Sequence, residues 1–159
     1  MTLFMAIVLA QGVADAKGVL FSQTEVSSTD YCKVYKCKLA NVKEEQVSGT
    51  NVRTGTFALK ASFNVIMDVS YTPAGVASTS MFLPKASDIR KPDFVRLHKE
   101  WLKTFLPKVV TFNFSKNCDL NPKKNLTKAL KFEYGNHHYE VGCFLNNGSA
   151  YFVISGWNI

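Results

Sequence analysis

The chain has 159 residues, the size of one ordinary domain at roughly 100–200 residues each. Hydrophobic residues make up 47% and charged residues 19%, a balance that can pack a core and excludes a disordered or fibrous chain. Lys and Arg outnumber Asp and Glu by 19 to 12, giving a formal charge of +7, and no apolar run approaches the roughly 18 residues of a membrane-spanning helix.

Residues 3–10 form an apolar run followed by Ala14-Asp15-Ala16, a small-x-small ending. This is the layout of a secretory signal peptide cleaved after Ala16, although no Lys or Arg precedes the apolar run. The expected organisation is a leader over 1–16 and a single secreted or periplasmic domain over 17–159. Residues 17–30 are polar and read as a loose lead-in.

Tyr31 to Val42 reads as an edge strand guarded by Lys33, Lys36 and Lys38. Residues 43–54 read as a polar connection. Phe57, Leu59, Ala61, Phe63, Val65, Met67 and Val69 then alternate with polar residues, predicting one long half-buried strand, with Ala58 and Ile66 as exceptions on its polar side. Thr72-Pro73-Ala74-Gly75 predicts a turn and Val76–Leu83 the returning arm.

A basic loop over 84–92 leads into a helix expected over 92–106. Phe94, Val95, His98, Trp101, Leu102, Phe105 and Leu106 supply its apolar stripe; Pro92 suits the first turn, and Pro107 stops it. Strand signals return at 110–115 and in Leu130, Phe132 and Tyr134. Turns at Gly135-Asn136 and Asn146-Asn147-Gly148 set off two further strands, 137–145 and 150–157. The predicted class is α+β: a half-buried antiparallel sheet of about six to seven strands, with one amphipathic helix on its apolar face.

Cys32, Cys37, Cys118 and Cys143 form an even set, as expected of two disulfides in an oxidising compartment. Three pairings are possible. The preferred one joins Cys32 to Cys37 and Cys118 to Cys143, the latter closing a loop worth about 3 kcal/mol in the chain-entropy model. An unbroken strand over 31–39 would put Cys32 and Cys37 on opposite faces and favour the cross pairings. No C-x-x-C spacing supports zinc, and neither a metal nor a cofactor is expected. Asn113, Asn125 and Asn147 each begin an N-x-[ST] sequon.

Among the histidines, His98 lies on the helix's apolar stripe. His138 and Glu140 share one strand face, the only adjacent acid–base pair the pattern nominates. Nucleophile-elbow, zinc-helix and phosphate-loop motifs are absent. The basic residues carry more information. Seven lie between Lys85 and Lys108 against three acids, and five between Lys116 and Lys131 against Asp119 alone. Lys99, Lys103, Lys123, Lys124 and Lys128 are the candidate binding residues of one positive face. The favoured reading is a non-enzymatic secreted binding module that docks an anionic polymer, envelope surface or protein partner. The alternative is a small phosphodiester-type hydrolase using His138 with Glu140, or His98, near lysines.

Overall fold

The structure is a computed structural model that describes residues 18–107 and 128–158. The expected leader, the strand at 110–115 and the loop carrying Cys118, Lys123 and Lys124 lie outside the described residues.

Residues 18–30 are no loose lead-in. Leu20 and Val26 are buried, and Val26–Ser28 forms a 3₁₀ turn. Val19 and Leu20 donate their N–H groups to the carbonyls of Thr104 and Phe105, at 2.8 and 3.4 Å. A helix leaves its last carbonyls without intrahelical donors, and this strap supplies two. Phe21 N donates to Val76 O, and Val76 N donates back to Ser22 O, tying the strap to the sheet. The apolar run Val19-Leu20-Phe21 among polar neighbours is the sequence feature that marks this strap.

The strand expected from Tyr31 begins only at Lys38. Before it, Asp30–Tyr35 forms a short helix, α1. Thr29 Oγ1 accepts from Cys32 N as the N-cap, and Lys36 closes the helix in the left-handed region, at φ 47°. This reversal brings Cys32 and Cys37 to a Cα separation of 4.8 Å, where they form a disulfide. A loop this short contributes about 2 kcal/mol in the chain-entropy model. Cys143 is disulfide-bonded as well, and no described cysteine is free.

Strands β1 (Lys38–Val47) and β2 (Thr50–Leu59) occupy the span read as a polar connection. Ser48 and Gly49 both have positive φ, 49° and 80°, so they reverse the chain in two residues with the twist a hairpin needs. The long strand expected over 57–69 is two: β2 ends at Leu59 and β3 (Val65–Thr72) returns beside it. Phe57 pairs with Met67 and Leu59 with Val65. Each pair joins two odd-numbered residues, so the apolar positions keep their parity through the reversal and alternation alone does not reveal the turn.

Strand β4 (Gly75–Leu83) follows through Pro73-Ala74, and helix α2 (Pro92–Phe105) through a 3₁₀ segment at Ala86–Arg90. The last three strands are β5 (Lys128–Tyr134), β6 (His137–Asn146) and β7 (Ser149–Asn158). All seven strands form one open antiparallel sheet in the order β1-β2-β3-β4-β7-β6-β5. The class is α+β with one main helix.

The buried stripe of α2 is Phe94, Leu97, His98, Trp101, Leu102 and Phe105. Leu97 replaces Val95, which is 51% exposed. Trp101 Nε1 donates to Thr79 Oγ1 of β4 at 3.2 Å, a bond buried at both ends. The Phe152 ring of β7 meets Phe94 at 5.3 Å and His98 at 4.9 Å. Among the described residues, no helix is long and apolar enough to cross a membrane.

Candidate functional site

His98 and His138 are not brought together: the His98 ring meets Phe152, the cross-strand partner of Cys143, and His138 takes the opposite parity to Cys143 on β6. His98 is 4% exposed and ringed by Phe94, Trp101 and Phe152. Burial holds its imidazole neutral and lowers its pKa to about 3. A base so depressed and enclosed lacks access to a solvent-borne substrate.

His138 and Glu140 are half-buried on the outward face of β6. Each meets the residue directly opposite it on β5. His138 Nδ1 lies 3.1 Å from Glu133 Oε1, and Glu140 Oε2 lies 3.5 Å from Lys131 Nζ. The His138 ring also stacks on Trp157, 5.6 Å away. These are cross-strand partners of the kind that stabilises a sheet, and they engage both groups nominated for acid–base work. His137 points the other way, stacking on Phe21 at 3.9 Å and hydrogen-bonding Asn158 at 2.9 Å. Among the described residues, no group of three His, Cys, Asp or Glu could hold a metal ion.

Of the candidate lysines, Lys99 and Lys103 are exposed on α2, and Lys103 pairs with Glu100 at 2.8 Å. Lys123 and Lys124 lie outside the described residues, and of Lys128 only the backbone is described, at the start of β5. Arg90, Lys91 and Arg96 extend the cationic side of α2, with Lys91 and Arg96 paired to Asp88 and Asp93 at 2.8 and 3.3 Å. Asn147 sits exposed in the β6–β7 turn at φ 48°, where a sequon is accessible.

The outward face also carries a row of side chains that alternation conceals. Ala58 pairs with Ile66, Ile66 with Phe82, Phe82 with Tyr151, and Tyr151 with Phe144. The two exceptions in the polar pattern of 57–69 are therefore the first members of an apolar row crossing five strands. Tyr151 meets both Phe82 and Phe144 at 4.7 Å, and the Phe144 and Tyr151 planes lie within 2° of parallel. The Phe144–Tyr151 stack covers one face of each ring and Phe82 leans on Tyr151 at 38°, contacts of the kind that serve cross-strand packing.

Compared with known protein families, curated proteins and solved structures, the chain matches none.

Proposed function

We propose that the chain is a secreted, non-enzymatic basic binding module that docks an anionic polymer through the outer side of α2. The observation that carries this reading is the division of the helix. Its apolar stripe is buried, and Arg90, Lys91, Arg96, Lys99 and Lys103 are left exposed beside three carboxylates. The ring contacts to Phe152 and the Trp101–Thr79 bond support a helix lying along the sheet's apolar face, which would hold those cations outward on a rigid support. Exposed ion pairs between neighbouring turns are worth little in water, so Arg96 and Lys103 can exchange their carboxylates for a denser array of anions, whereas Lys91 stays with the buried Asp88. The Cys32–Cys37 disulfide is in keeping with an oxidising compartment.

A DNA duplex of about 20 bp serves as a polyanion of known charge spacing. Its apparent association constant should fall linearly on a log–log plot as salt rises, with a slope near −0.9 for each phosphate neutralised. The Lys99→Glu/Lys103→Glu protein should bind more weakly and show a slope smaller in magnitude by about two. Binding that ignores salt, or a double variant indistinguishable from the parent, would refute the assignment.

A further inference from the structure

Strand β1 ends the sheet, and among the described residues nothing pairs with its outer edge. All ten of its residues are exposed, so it carries an unused row of backbone donors and acceptors. Two of its apolar side chains face the same side as the core. Leu39 lies opposite Phe57 and Val42 opposite Gly55, yet they are 52% and 44% exposed. Between them and Tyr71 lies a hollow of about 170 Å³, rimmed by the Cys37 end of the disulfide. That is about the volume in which a protein cavity holds one benzene-sized ring.

Charge at the rim is equally specific. Arg53 pairs with Glu25 and lies over the Tyr71 ring at 4.6 Å, while Lys43 pairs with Glu45. Glu44 faces the same side as Val42, two residues along β1, and lies opposite Arg53, whose guanidinium is already paired with Glu25. A protein with seven excess positive charges thus gathers three carboxylates, Glu25, Glu44 and Glu45, against two cations, Lys43 and Arg53, beside this exposed sheet edge.

We propose that this edge is a docking site for an extended peptide segment of a partner protein, added as an eighth strand. Side chains alternate along a strand, so the same face of the peptide offers one large apolar residue to the hollow and, two positions on, a Lys or Arg to Glu44. Main-chain pairing with β1 supplies affinity, and the hollow and Glu44 supply selectivity. The site is separate from the cationic side of α2 and does not depend on that assignment.

The test uses a labelled peptide, Thr-Val-Thr-Phe-Thr-Lys-Thr-Val, and the full chain. Saturable binding is expected, weakened at least tenfold when the peptide Phe becomes Asp or when Val42 is changed by Val42→Asp. The Glu44→Lys protein should reverse the preference between the Lys peptide and its Glu counterpart. Both substitutions fall on exposed positions, so the fold survives them. Hydrogen exchange should slow on addition of peptide in Lys38–Val47 above all. Three results would overturn the proposal: no saturable binding up to millimolar peptide, binding indifferent to the Phe or to Glu44, or protection arising elsewhere. Concentration-dependent self-association abolished by Val42→Asp would assign the edge to a second copy instead and would also overturn it.

Discussion

His98 ties the stability of the fold to pH through its burial. It is neutral in the folded protein down to a pKa of about 3, whereas in the unfolded chain it takes up a proton near pH 6.5. Its contribution to stability is therefore complete above pH 6.5 and is lost progressively as pH falls from 6.5 toward 3, because only the unfolded state binds the proton over that window. Two pH units below 6.5 the loss amounts to about 3 kcal/mol, at about 1.4 kcal/mol per unit. Urea unfolding at pH 7 and pH 4.5 should show this fall in the parent, and His98→Leu should remove most of it. A parent and variant with equal pH slopes would show that His98 is solvated or charged in the native state. The helical spacing places His98 on the apolar stripe without the structure, since it lies four residues after Phe94 and three before Trp101. The aromatic enclosure that sets its pKa comes partly from Phe152, fifty-four residues away, and no local pattern reports that.

At the level of elements, visibility in the sequence followed the length of each period. Helix α2 is fourteen residues long with a strong amphipathic repeat, a Pro at its first turn and a Pro just beyond it, and its limits follow from those features. Helix α1 has six residues, too few for a repeat, and only its Thr29-Asp30 N-cap signal could have separated it from a strand. Strand β1 is exposed on both faces, so nothing forces its residues to alternate and its polar half resembles a loop. Trp101 tests how α2 is held. Its side chain is fully buried and its indole N–H is satisfied by Thr79. Trp101→Ala should cost about 3–5 kcal/mol in chemical denaturation, from lost burial and a stranded Thr79 hydroxyl. Trp101→Phe, which keeps a ring in place, should cost clearly less. A loss below about 1 kcal/mol for the alanine variant would mean that the stripe is not packed against the sheet.

At the scale of the whole molecule, a segment that reads as a loose lead-in ties the helix to the sheet. Residues 18–22 join the end of α2 to β4, and they do so against local preference, since Phe21 adopts φ 63°, a conformation unfavourable for a bulky side chain. The seat is built from glycines far apart in the chain. A Cβ at Gly18 would lie 2.2 Å from Phe105 O. One at Gly156 would lie 2.4 Å from Phe21 Cζ and 3.0 Å from Leu20 Cδ2. None of this is legible locally, because each glycine is explained only by a segment more than eighty residues away in the chain. Gly156 provides the decisive measurement, since its φ does not demand glycine and the atoms nearest its missing Cβ belong to the strap. A chain beginning at Gln23 should be less stable than one beginning at Lys17 by about 3–5 kcal/mol, reflecting the burial of Leu20 and the strap's hydrogen bonds net of the strain at Phe21. Gly156→Ala should destabilise the longer chain by displacing the Phe21 ring, and should be close to neutral in the shorter one. The coupling between the two changes isolates the seat from any general effect on β7. If Gly156→Ala costs the same in both chains, the glycine serves the strand itself, and the strap is not what the sheet was shaped to receive.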